Sequence, residues 1–291
     1  MAILIDPPRW PAHGTSFSHL VSDSSLAELH AFAASAGIPE RAFDEDHYDV
    51  PAQRYDALVA EGASPVTGGE LIRRLRASGL RVPPRARARH ALRAVRHRWP
   101  TSVPGAVWVR DELLDRWSQP HRRYHDSRHL LAVLDALDLL YRPGPVEQNV
   151  VLAAWFHDAV YDGVPGADEA ASANLARSQL SGLLPPADVA EIVRLILITT
   201  EHQPPPDDHS GARLCDADLA ILGASEGDYD RYRAAVRQDF AHLGHTQWRK
   251  GRAAVLTALL ARDPLFRTDR GRSLWQATAR ANIARELSDL A

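Results

Sequence analysis

The feature that most restricts this fold is a succession of helical periods that begins near Val107 and runs to Leu287 with no strand-like alternation. Segments 107–117, 128–141, 147–160, 169–180, 187–200, 229–243, 249–260 and 274–287 repeat apolar residues three and four places apart, and proline or glycine separates most of them. Stripes of this kind are buried by packing helix on helix, so an all-α bundle is expected over 104–291. Residues 1–83 read differently. Ala2 to Ile5 and Phe17 to Val21 have strand character, Ser25 and Glu28 form a capping box that opens a helix over 26–36, and further helical patterns cover 52–60 and 70–77. A small α/β domain is expected there, so the fold class is mainly α. Between the two, 84–103 carries Arg85, Arg87, Arg89, Arg93, Arg96 and Arg98 with no acidic residue, and is expected to be a basic linker or junction helix.

Composition removes several classes of function. The chain has 291 residues, 45% of them hydrophobic, enough for two ordinary domains. A net charge of -3 announces neither a nucleic-acid nor a membrane partner, so any basic surface must be local. Lys250 is the sole lysine, which rules out a phosphate-binding loop ending in Lys-Ser or Lys-Thr and argues against Schiff-base chemistry. Cys215 is the sole cysteine, so no internal disulfide forms and a reducing compartment fits. The start lacks a basic region before its apolar stretch, and no later apolar run reaches membrane-spanning length. A cytoplasmic protein is therefore expected.

His157-Asp158 stands out against this background because it follows the apolar run Val150 to Phe156. An imidazole and a carboxylate in a core are costly unless partnered, and a divalent cation suits both. Adjacent helical residues diverge by roughly 100°, so both reach one ion only if it sits over the seam between them. His129 lies on the inward stripe of its helix with Val133, Leu137 and Leu140, and His125 is one turn earlier. His202 follows Leu195 and Ile198 just before three prolines, and Asp216-Ala217-Asp218 precedes or begins an apolar segment. Histidines and aspartates without thiolates suit Mn, Mg, Fe, Co, Ni or Zn held in a site with open positions, not a structural zinc knot.

The combination of Tyr-His-x-x-x-His at 124–129, Trp-Phe-His-Asp-x-Val-Tyr-Asp at 155–162, Glu-x-x-Ser-Ala at 169–173 and Asp-Ala-Asp-Leu-Ala-Ile-Leu-Gly at 216–223 resembles the HD superfamily of metal-dependent phosphohydrolases. More closely, it resembles a bacterial group known only as predicted HD phosphohydrolases, and the resemblance runs from about Val107 to the C-terminus. It implies that His129, His157 and Asp158 bind metal, with Asp218 as the fourth ligand or Asp216 as the alternative. By likeness to cyclic-nucleotide phosphodiesterases it implies that His125 protonates the leaving oxygen. By likeness to guanosine-tetraphosphate hydrolases it implies that Asp162 is an acidic catalytic residue. His202, Asp216, Glu169 and Ser172 would then face substrate or support the ligands. The implied activity is hydrolysis of a phosphoester or phosphoanhydride by a metal-activated water, with a nucleotide or related phosphorylated metabolite as substrate.

Each feature also has a plainer reading. His202 can cap a helix C-terminus, Glu169 and Ser172 can cap the helix that begins near them, and the arginines of 84–103 can be a solvated face. The same residues also suit two rival functions. One is a di-iron oxygenase of the same superfamily, which needs further histidines between His157 and Asp218. The other is a nucleotide-sensing or RNA-binding module with a vestigial metal site, suggested by the arginines. The N-terminal segment, with Asp6, His19, Asp23, Asp44, Asp46, His47 and Asp49, resembles a small uncharacterised bacterial domain that also occurs alone. Its acidic stretch 44–49 reads as a loop.

Overall fold

A computed structural model describes residues 2–12, 15–39, 42–82, 87–100, 103, 106–164 and 166–290. The chain is mainly helical with a small sheet near its N-terminus, and it divides into two compact units, Met1–Arg87 and Ala88–Ala291. The expected boundary at 83/84 and Arg85 lie outside the described residues, as does the side chain of Arg89.

The N-terminal unit orders β1 (Ile3–Ile5), β2 (Trp10–Ala12), β3 (Thr15–Ser22), α1 (Leu26–Ser35), β4 (Tyr48–Pro51), α2 (Tyr55–Ala60), β5 (Ser64–Pro65) and α3 (Gly68–Ala77). The long β3 pairs antiparallel with β1, β2 and β4, and β5 runs parallel to β1. Alternation along the strands builds both layers. Ile3, Ile5 and Leu20 share a core with Leu29 and Ala33 of α1, whereas Leu4 and Val21 face the other way onto Leu71 and Leu75 of α3. Ser25 accepts a hydrogen bond from the Glu28 amide and opens α1, as expected of a capping residue. The acidic stretch is a loop over 44–47, as expected, and departs from that expectation only at its end, where Asp49 lies within β4. Tyr48 and Val50 are buried and Asp49 between them is not, a two-residue alternation that the many carboxylates masked.

The C-terminal unit comprises α4 (Ala88–Arg96), α5 (Val107–Arg116), α6 (Ser127–Tyr141), α7 (Gln148–Phe156), α8 (Ala167–Leu180), α9 (Pro186–Ile198), α10 (His209–Asp218), α11 (Glu226–Asp239), α12 (His245–Leu260), the short α13 (Asp269–Gly271) and α14 (Ala277–Leu290). The basic segment is no free tether: α4 packs on α6, and Val95, Trp99 and Val103 join the main core. Helix α7 is apolar all round and is packed against α6, α8, α9 and α10, which is the environment such a helix demands. Trp155 and Phe156 are wholly buried there. Helices α11, α12 and α14 enclose a second core of Tyr229, Leu256, Phe266 and Ile283.

Two helix boundaries set where the buried polar residues emerge. Helix α7 ends at Phe156, with His157 as its cap, so the expected continuation to Val160 does not form. Helix α10, which the run of prolines and Asp207-Asp208 disguised as a loop, is opened by Asp208, whose side chain accepts from the Gly211 amide at 2.8 Å. The Asp216–Asp218 carboxylates therefore close a helix instead of opening one.

Candidate metal centre

Helix ends bring the polar residues into the core. The carboxylate of Asp126 caps α6 by accepting from the Arg128 amide at 2.8 Å, which fixes His129 in the first buried turn. His157 and Asp158 leave the end of α7, Asp218 is the last residue of α10, and His202 follows α9 with φ +52°. That left-handed backbone is unusual for histidine and turns its ring back toward the bundle. A helix terminus is where a side chain can depart from the periodic stripe while its main chain keeps its hydrogen bonds.

The four side chains converge. His129 Nε2 lies 3.1 Å from His157 Nε2, 3.1 Å from Asp218 Oδ1 and 3.7 Å from Asp158 Oδ2. His157 Nε2 lies 3.2 Å from Asp158 Oδ2 and 3.5 Å from Asp218 Oδ1. His129, His157 and Asp218 offer ligand atoms all within 4.8 Å of one another, with Asp158 flanking both imidazoles. His157 Nδ1 lies 2.8 Å from the Ala154 carbonyl, which can only accept, so Nδ1 carries the proton and Nε2 is free to ligate. His202 Nε2 lies 2.7 Å from Asp218 Oδ2 and orients the carboxylate whose other oxygen faces the cluster.

Burial resists charge on every member, yet the cluster keeps charge. Despite burial, the carboxylates of Asp158 and Asp218 hold His157 well above the ordinary histidine range. Burial and the neighbouring His157 push His129 below it, against the pull of Asp218. Despite their own burial, Asp158 and Asp218 remain well below the carboxylate range, because His157 and hydrogen bonds outweigh it. Two carboxylates that stay ionised beside two imidazoles make a field that favours a bound cation.

Arg122, to which sequence reading assigned no role, fixes the turn. Its buried guanidinium donates to the carbonyls of Asp158 at 2.6 Å, Ala159 at 3.0 Å and His125 at 3.1 Å, and to the Gln119 side chain at 3.1 Å. It lies 5.5 Å and 5.6 Å from the ring centres of Trp117 and Tyr161. With α7 ended, these bonds set where Asp158 points. Asp239 is the second residue missed. The last residue of α11, it accepts from the amides of Arg123 and Tyr124 and sits 3.2 Å from His125 Nδ1. His125 in turn stacks on Tyr161 with ring centres 4.2 Å apart. Nothing local in the sequence distinguishes Asp239 from other surface-helix aspartates, since more than a hundred positions separate it from His125.

Several expectations are corrected by this geometry. Asp216 stands outside the cluster: its buried carboxylate accepts from the amides of Arg267 and Thr268 at 2.7 and 2.8 Å and from the Thr268 hydroxyl at 2.7 Å. It points away from the cluster because it lies two residues, about 200° of helix, from Asp218. Asp162 is exposed and does not line the cavity beside the cluster, because α7 stops before it and the one-turn offset from Asp158 disappears. Instead Asp168, the third missed residue, gathers the amides of Asp162, Gly163 and Val164 at 2.8–3.0 Å, with Gly163 at φ +77°. Ser172 clasps the Val160 main chain at 3.0 Å and does not reach that cavity. Glu169 caps α8 through the Gly166 amide at 2.6 Å while also lining the cavity mouth. His209 is exposed at the start of α10, away from the cluster.

Asp158, Asp218, His125 and His202 lie at one end of a cavity of about 600 Å³. Its remaining wall is largely apolar, with Val236 of α11, Phe240 just after it, and Trp248 and Val255 of α12. Phe240 and Trp248 face each other with ring centres 5.7 Å apart. Both arginines in the lining are already engaged: Arg252 with Glu286 at 2.9 and 3.1 Å, and Arg262 with the carbonyls of Glu201 and His202.

Comparison with known proteins places residues 3–78 in similarity to the family described as "Protein of unknown function (DUF4031)". That segment lies wholly within the N-terminal unit. No curated protein and no solved structure matches the chain. Among the described residues no helix is long and apolar enough to cross a membrane.

Proposed function

We propose that the C-terminal unit is a metal-dependent phosphohydrolase of the HD type, acting on a phosphoester or phosphoanhydride of a nucleotide or related metabolite. The observation that carries this reading is the convergence of His129, His157, Asp158 and Asp218, of which the two aspartates line a cavity of about 600 Å³. The donor set fits a divalent ion: two imidazole nitrogens face each other at 3.1 Å, one with its tautomer fixed by a main-chain carbonyl, and carboxylates stand on both sides. His129, His157, Asp158 and Asp218 would hold the ion, and it would polarise a phosphoryl oxygen and acidify water at neutral pH.

The chain's own residues supply the rest. Asp239 fixes His125 through Nδ1 and Tyr161 stacks on its face, so Nε2 is the nitrogen left to carry a proton to a leaving oxygen. His202 and Arg122 orient Asp218 and Asp158 respectively. Phe240 and Trp248 offer an aromatic wall suited to a planar base, and substrate charge must be met mainly by the ion, because both lining arginines are already paired. The oxygenase alternative gains nothing from His209, which stands away from the cluster.

The test is hydrolysis of a panel of nucleotides, phosphomonoesters and phosphodiesters with Mn, Mg, Co or Ni, comparing wild type with Asp158→Ala. Turnover lost in the variant supports the proposal. A wild-type protein that retains metal and hydrolyses no member of the panel overturns it.

A further inference from the structure

The N-terminal unit contains a second histidine cluster that the cavity chemistry does not use. His19 of β3 and Asp49 of β4 are cross-strand partners, and His47 enters β4 beside them. His19 Nδ1 lies 3.0 Å from the buried Asp6 carboxylate, and His47 Nδ1 lies 2.7 Å from the buried Asp46 carboxylate. Both pairings fix the proton on Nδ1 and turn Nε2 outward. The two Nε2 atoms then meet one oxygen, Asp49 Oδ1, at 3.9 and 3.2 Å.

With each Nδ1 donating to a carboxylate, both Nε2 atoms are turned toward the third carboxylate, Asp49. A proton on His47 Nε2 satisfies that ring alone, at 3.2 Å, and leaves His19 Nε2 at 3.9 Å without a hydrogen bond to Asp49. A cation would engage all three groups. The three ligand atoms lie within 4.8 Å of one another, and a tetrahedral ion with bonds of about 2.0–2.2 Å needs separations of about 3.3–3.6 Å. Closing that difference takes small side-chain rotations within the cluster, where His19 and Asp49 are both partly exposed.

The outer shell is unusually complete. Asp46 also accepts from Arg81 at 2.9 Å, Arg87 at 2.9 Å and the Val82 amide at 2.7 Å, so it cannot itself swing in as a ligand. Asp6 is held in the same way, accepting from the His19 amide at 2.6 Å. A cavity of about 110 Å³ lies beside the two imidazoles, lined by His19, His47, Arg81 and Arg87 and, on its apolar side, by Val21, Leu71, Ile72 and Leu75, and it leaves room for water at an open position. Asp6, His19, Asp46, His47 and Asp49 all fall inside the segment that matches the family of unknown function.

We propose that His19 Nε2, His47 Nε2 and Asp49 bind one transition-metal ion of the zinc, cobalt or nickel class, with Asp6 and Asp46 as the carboxylates that orient the two imidazoles. The nitrogen-rich ligand set selects these ions over magnesium or calcium. The site is independent of the one in the C-terminal unit.

The test uses the full chain carrying His157→Ala and Asp218→Ala, which removes the other cluster, titrated with Co(II) and followed by optical absorption and by equilibrium dialysis. One bound Co(II) is expected. Adding Asp49→Ala should weaken it by 100-fold or more, and adding Asp6→Asn should weaken it 10- to 100-fold. Asp49 is partly exposed, so its loss leaves the fold intact, as circular dichroism will verify. A folded chain that binds no Co(II), or whose Co(II) affinity is unchanged by Asp49→Ala, overturns the proposal. Failure of the hydrolase reading leaves this result untouched, because no phosphoester is involved.

Discussion

Replacing Arg122 by methionine tests whether a buried guanidinium is what aims Asp158. The substitution keeps most of the side-chain volume but leaves the carbonyls of His125, Asp158 and Ala159 without their donor. Each buried acceptor left unpaired costs about 1–3 kcal/mol, and relief of Arg122's own desolvation offsets part of the sum. A net loss of about 3–5 kcal/mol is expected. For a unit of this size roughly 2–4 °C of melting temperature accompanies each kcal/mol, so the transition of the C-terminal unit should fall by about 6–20 °C. Arg122→Lys restores the charge but serves fewer carbonyls, and should lie between the two. Thermal unfolding by far-UV circular dichroism measures the stability. Co(II) titration of the folded variant, in a background carrying Asp49→Ala, measures the site and should show affinity reduced 10- to 100-fold. A fall of less than about 2 °C would refute the energetic argument. A destabilised variant with unchanged Co(II) affinity would refute the claim that Arg122 positions Asp158.

Three further outcomes are expected. Asp218→Ala should abolish metal binding at the C-terminal cluster, whereas Asp216→Ala should keep the metal and cost about 2–4 kcal/mol by freeing residues 267–268, as dialysis and thermal melts will distinguish. Cys215 is buried and its thiol is pushed well above the ordinary range by burial and nearby aspartates, so a thiol-reactive disulfide reagent at pH 8 should label it only after denaturant is added. Despite burial, hydrogen bonds hold Asp6 and Asp46 below 3.8; their contribution to the N-terminal unit is complete above that unfolded value and is lost as pH falls through the folded one. Metal-free melts should therefore be flat between pH 5 and 6 in this respect and fall steeply below about pH 4.

Local patterns in the chain were enough to dictate the two-part architecture and most helices, because each segment carries its own helical period or strand alternation. Ser25 makes the same point for caps, accepting from an amide three residues ahead. His129, His157, Asp158, Asp218 and His202 were legible in the same way, since polar residues on apolar stripes are locally visible. Tertiary structure alone chose between Asp216 and Asp218, by supplying the amides of Arg267 and Thr268 to the first and leaving the second facing two imidazoles. It alone brought Asp239 to His125 and Arg122 to the carbonyl of Asp158, and it ended α7 early enough to remove Asp162 from the site. In the N-terminal unit, β-pairing joined His19 to Asp49, two residues whose sequence neighbourhoods share nothing. The physical reason is the same in each case: periodicity and capping are written in neighbouring residues, whereas the partner that neutralises or aims a buried polar group comes from wherever packing happens to close the chain.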